Sequence, residues 1–99
     1  MKVQDCLPKE SEAIQNRISD VLAFARTHGK YPRFHHYKGG VYDMKNFGID
    51  EPTLLLKVSY LEMGADPTDV PWIRFASNFF GQTVTDDGTP VERFTMLLH

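Results

Sequence analysis

Tyr37, Lys38, Tyr42, Tyr60, Trp72, Arg74 and Arg93 are the residues of this chain best equipped to hold a ligand. The aromatic members offer flat contact area with a polar handle. Lysine and arginine add directed hydrogen bonds to anionic or carbonyl groups. Such a set grips a small molecule or a protein surface and carries no reaction by itself. Its competing role is packing. Trp72 and Phe94 are expected in the core, whereas Lys38, Arg74 and Arg93 need either an acidic partner or an open surface, because a buried cation without one is costly.

The other chemistry-bearing types are less well arranged. His28, His35, His36 and His99 could be metal ligands, but adjacent strand residues point to opposite faces, so His35 and His36 do not chelate together. One exposed imidazole and one packed against aromatic neighbours is the expected outcome, with no metal and no cofactor. No motif orders serine, histidine and aspartate for nucleophilic catalysis, so no catalytic residue is assigned. Asp86-Asp87 falls in a turn, which accounts for both carboxylates. Gly39-Gly40 is followed by strand texture, where a phosphate loop would need a helix, and therefore reads as a tight turn.

These residues must be positioned by one small domain. The chain has 99 residues, 41% of them hydrophobic and 12% aromatic, which is enough apolar material for a core. Eleven basic residues against 13 acidic ones leave a formal charge of −2, which disfavours nucleic acid and anionic membranes as partners. The single cysteine, Cys6, forms no internal disulfide and fits a reducing compartment. No window has the length of a membrane span, and the first residues lack the apolar stretch of a secretory signal.

Two textures divide the sequence into an N-terminal segment, 1–32, and a domain over 33–99. The spacing predicts a helix over about 8–28. Pro8 suits its start, Ile14, Ile18, Val21, Leu22 and Ala25 form one apolar face, Arg17, Asp20 and Arg26 point elsewhere, and Gly29 ends it. Beyond Pro32, short aromatic and β-branched runs alternate with turns. Strand candidates are Phe34–Tyr37, Val41–Phe47, Thr53–Leu61, Trp72–Arg74, Gly81–Thr85 and Val91–Leu97. A helical turn is expected at Ala76–Phe79 and a hairpin turn at Asp86-Asp87-Gly88. The economical arrangement is a small five-stranded β-barrel, because closure removes exposed edges.

The order His36-Tyr37-Lys38-Gly39-Gly40-Val41-Tyr42, then Val58-Ser59-Tyr60, Trp72-Ile73-Arg74, Phe79-Phe80, Asp87-Gly88 and Pro90-Val91-Glu92-Arg93-Phe94 resembles a small bacterial and phage family known as domain of unknown function number 1653. The resemblance covers about residues 34–95 and implies an SH3-like barrel, mainly β, preceded by the helix. Phe75 stands where that family usually has proline, and Asn78 where it usually has methionine. The family implies no activity.

The resulting expectation is a non-enzymatic binding module: a phage or bacterial accessory protein recognising a small anionic, nucleotide-like ligand or a host protein, for instance as an inhibitor of host defence. Two alternatives remain, a small enzyme acting on a nucleotide with His36 as acid or base, and a nucleic-acid-binding accessory protein. A cytoplasmic location (the host's, if phage-encoded) is expected. So is self-association through the Ile14/Ile18/Val21/Leu22 stripe, if the barrel leaves it bare.

Overall fold

A computed structural model describes residues 1–98; His99 lies outside the described residues. The first elements are a short helix α1 (Val3–Cys6), a 3-10 turn (Leu7–Lys9) and the long helix α2 (Glu12–His28). The helix begins four residues later than the sequence pattern predicts. Pro8 sits in the 3-10 turn, and Ser11 is the N-cap, its side chain accepting from the Ile14 N–H at 3.3 Å. Gly29 closes the helix in the left-handed region at φ 72°, a conformation that favours glycine, and donates its N–H to the Ala25 carbonyl.

Strands β1 (Arg33–His36), β2 (Val41–Ile49), β3 (Leu56–Glu62) and β4 (Trp72–Phe75) form an antiparallel meander. A helical turn, α3 (Ala76–Phe79), follows, then the hairpin β5 (Gln82–Val84) and β6 (Pro90–Glu92), and finally β7 (Phe94–Leu97). The order β4-β3-β2-β1-β7 makes one five-stranded curled sheet, with β5-β6 as a separate pair. This corrects the expected closure. The protein is mainly β with an N-terminal helix, but β4 and β7 are opposite edges that do not pair, so the sheet is a half-barrel.

Three local differences have physical causes. The predicted strand Thr53–Leu61 starts only at Leu56. Leu54 takes φ 60°, its N–H donates to the Asp50 carbonyl at 2.7 Å, and Thr53 Oγ1 donates to the Asp50 carboxylate, so the turn extends through Leu54. In β2 a bulge between Met44 and Asn46 re-aims the strand, so that Phe47 rather than Asn46 shares the inner face with Tyr42 and Met44. The predicted last strand is two strands broken at Arg93. Its N–H reaches the Gly81 carbonyl at 3.1 Å while its C=O accepts from the Tyr37 N–H at 3.0 Å, so the chain passes from the hairpin to the large sheet at this residue.

Residues directly opposite across a ladder share a face. The pairs Phe34↔Tyr42, Met44↔Tyr60, Val58↔Arg74 and Tyr60↔Trp72 therefore trace a single inner surface, with Phe94 joined to it opposite His36. At one end this surface is covered. Ile14, Ile18 and Val21 of α2 enter one core with Phe34, Met44, Leu56, Val58, Phe79 and Phe94. The helix stripe is thus consumed within the monomer, which removes the bare surface that self-association through it required. Arg17 also departs from expectation, because it turns inward, its η-nitrogens donating to the carbonyls of Phe80 at 2.6 Å and Phe94 at 2.7 Å.

Ile18 is 0% exposed. Truncating it leaves a cavity the helix cannot collapse into, so Ile18→Ala should destabilise the protein by about 2–5 kcal/mol. Denaturant unfolding followed by far-UV circular dichroism checks this.

Candidate functional site

The other end of the inner surface is uncovered. His36, Tyr42, Tyr60, Glu62, Trp72, Arg74 and Phe94 enclose an open cavity of about 280 Å³ there. Each arrives by strand alternation: His36 from the end of β1, Tyr42 from the start of β2, Tyr60 and Glu62 from β3, Trp72 and Arg74 from β4, Phe94 from β7. The floor is aromatic. Phe94 and Tyr60 are buried, with ring centroids 5.3 Å apart, and Tyr42 meets both edge-on at 5.8 and 5.6 Å. His36 leans on Phe94 at 4.8 Å. Behind the floor, the Phe79 ring stacks on Phe94 at 4.2 Å with an interplanar angle of 13°.

The walls are polar and already oriented. Arg74 Nε donates to the Tyr60 hydroxyl at 2.7 Å, and one of its η-nitrogens donates to Asn78 Oδ1 at 2.6 Å. Arg93 Nε donates to the Asn78 carbonyl at 3.2 Å. Asn78 therefore ties both arginines, from the position where the family resemblance leads one to expect methionine. The ion pairs among the described residues are Arg17–Glu92, Arg33–Asp43 and Lys57–Asp50, so Arg74, Arg93 and Lys38 have no carboxylate within 4.0 Å there. Neutral partners orient the two arginines and leave their charge uncompensated. Opposite them, Trp72 Nε1 donates to Glu62 Oε1 at 3.0 Å, and this bond is the main reason the Glu62 carboxyl is held below the usual range.

His36 Nδ1 accepts the Lys38 backbone N–H at 3.2 Å, which leaves Nε2 to carry the proton of the neutral ring. Burial first, then the charges of Arg74, Arg93, Lys38 and His35, push the His36 imidazole below its ordinary value. His35 is exposed, so the two adjacent rings divide as their alternation predicts.

Of the seven predicted site residues, Tyr42, Tyr60, Trp72 and Arg74 line the cavity together. Arg93 and Lys38 stand close enough for their charge to act on His36 without lining it, and Tyr37 lies beyond His36 at 4.8 Å between centroids, with Lys38 Nζ 5.7 Å from its ring. Phe94 is core, as expected. Trp72 corrects its expectation: it is 58% exposed, because β4 is an edge strand with nothing packed outside it. Sequence reasoning missed Glu62 and Asn78. Glu62 could have been found from strand parity with Tyr60, two residues away on the same face. Asn78 is marked in the sequence only as a departure from the family pattern, which does not reveal its role. Among the described residues no three His, Cys, Asp or Glu side chains form a metal-binding group, and no helix is long and apolar enough to cross a membrane. A larger cleft of about 760 Å³ lies between the end of α2 and β1–β2, but it holds none of the predicted residues, and Arg33 and Asp43 on its wall satisfy each other at 2.7 Å.

The family model described as "Protein of unknown function (DUF1653)" matches residues 32–96. The chain belongs to that family. The match begins immediately before β1, so α2 lies outside it while the whole cavity lies within it. The crystal structure of a DUF1653 protein from Bordetella bronchiseptica is similar in fold, with a TM-score of 0.55 and 25% sequence identity over 69% of this chain and 87% of that one. Comparison with curated proteins found no match.

An NMR titration should find the His36 midpoint below the ordinary 6.5. Because the unfolded chain then takes up the proton first, this group makes stability fall as pH drops from 6.5 to the folded midpoint and leaves it unchanged above that window. Removing a nearby charge with Arg74→Gln should raise the midpoint. A midpoint that does not move would mean that the Arg74 charge does not contribute to it.

Proposed function

We propose that the protein is a non-enzymatic binding module whose open cavity takes a small anionic, nucleotide-like ligand. The observation that carries this reading is Arg74. Its guanidinium is held in place by the Tyr60 hydroxyl and Asn78 at the wall of an aromatic cavity, and among the described residues no carboxylate neutralises it. A fixed arginine loses little freedom when it meets an anion, and aromatic floor and walls supply contact area at low entropic cost. Arg93, Lys38 and the Nε2–H of His36 extend the positive side, and the exposed ring of Trp72 offers a face for a planar group. The SH3-like character inferred from sequence belongs with this reading, since such small bent sheets commonly recognise ligands on an aromatic surface. A role as a phage or bacterial accessory protein acting in the cytoplasm, by sequestering a small signal or by engaging a host protein, is the setting we propose for it.

Titration calorimetry with nucleoside mono- and diphosphates, pyrophosphate and inorganic phosphate tests the proposal. Saturable binding is expected, weakened at least tenfold by Arg74→Ala, about 1.4 kcal/mol. The absence of heat with every phosphate-bearing compound would sink it.

One observation favours a second reading. His36 faces the cavity with a titratable imidazole, the side chain that most often transfers protons in catalysis. Turnover of a bound nucleotide that disappears in His36→Ala would establish it. Unchanged nucleotide after prolonged incubation would leave the binding role alone.

A further inference from the structure

Resting on the anion-binding reading above, we infer that the site selects a nucleoside phosphate whose base carries an exocyclic amine, with Glu62 reading the amine and Arg74 holding the phosphate. The cavity has two chemically opposite ends. On β3 and β4, Tyr60 faces Trp72 and Val58 faces Arg74, while Glu62 lies two residues beyond Tyr60 in the other direction. Glu62 and Arg74 are therefore four residue steps apart along the strands, about 13 Å at ~3.3 Å per residue. Trp72 sits between them. Read along one face, the order is carboxylate, indole, guanidinium.

This order fits a molecule that is a hydrogen-bond donor at one end, flat in the middle and anionic at the other. Trp72 is fixed in orientation by its bond to Glu62 Oε1 at 3.0 Å and is 58% exposed, so the ring is poised to stack on a planar base. The same bond occupies only Oε1, and Oε2 makes no hydrogen bond to another side chain among the described residues. A carboxylate accepts and does not donate, and this one stays ionised because the indole N–H favours its charged form. It therefore attracts an amino edge and repels a carbonyl edge, which is selection by repulsion as much as by attraction. At the far end Arg74 offers the η-nitrogen that makes no hydrogen bond among the described residues, with Arg93 and Lys38 adding charge. A cavity of about 280 Å³ is at the small end for ligand sites and suits one nucleotide rather than a strand.

AMP and purine riboside 5′-monophosphate separate this inference from the reading it rests on, because they differ only by the exocyclic amine. By calorimetry the wild-type protein should bind AMP at least tenfold more tightly than the amine-free nucleotide. Glu62→Ala, which removes the acceptor, should bring the two within about threefold. Glu62 is exposed, and an unchanged thermal melt confirms that the variant is folded. Equal affinities for AMP and the amine-free nucleotide in the wild type, or a preference that survives Glu62→Ala, would overturn the assignment to Glu62 and leave the anion-binding reading standing. So would binding of pyrophosphate with no binding of either nucleotide. No binding of any phosphate compound would overturn both.

Discussion

Phe79 and Phe94 lie face to face, 4.2 Å apart and nearly parallel, at the point where the covered and uncovered parts of the inner surface meet. A curled five-stranded sheet has one concave face, and a single helix stripe of Ile14, Ile18 and Val21 is too narrow to close all of it. The aromatic stack marks where the helix-filled core ends. On one side Phe34, Met44 and Val58 are sealed. On the other Tyr42 and His36 stand over the Phe94 and Tyr60 floor with solvent above. The site is therefore the unfilled remainder of the core, and its floor is as rigid as the core because it is part of it.

That origin explains the electrostatics. Cations placed next to a buried aromatic floor lose part of their hydration, and they are retained only where hydrogen bonds hold them. Tyr60 and Asn78 provide those bonds to Arg74 and Arg93 without cancelling their charge. The uncompensated field is then felt by His36, whose ring is partly desolvated by the same floor. Glu62 escapes neutralisation by the arginines because it lies at the opposite end of the β3 ladder, where the Trp72 N–H holds it. Charge separation along the paired strands β3 and β4, rather than net charge, gives the cavity its polarity. The whole-chain value of −2 conveys none of this.

Periodicity made the helix and its buried face readable, and Asp87-Gly88 made the hairpin readable, because both signals are local. Four of the seven candidate site residues do meet in the cavity, since strand parity puts them on one face once the meander is in register. What was not readable depended on long-range pairing. Trp72 looks like core by type, and only its place on an edge strand exposes it. The run from Val91 to Leu97 looks continuous by composition, yet Arg93 divides it because its N–H and C=O find partners in different sheets. The opening between β4 and β7 follows from α3 and the β5–β6 hairpin intervening in the chain, a matter of geometry that no residue type announces. Arg17 was assigned to solvent by helical phase, but its length carries it over the edge of the helix to two carbonyls.

Arg17 also sets an order of events. Its side chain is only 20% exposed, and its guanidinium depends on the carbonyls of Phe80 and Phe94, the latter 77 residues further along the chain. As the polypeptide emerges during synthesis, the helix is made first and its acceptors last. Until β7 arrives, the charge has no place in the core, and the helix stripe has only part of the surface it will finally cover. The N-terminal element is therefore finished by the C-terminal one, so partial chains expose both an apolar stripe and a cation looking for oxygen, the sort of species that chaperones hold.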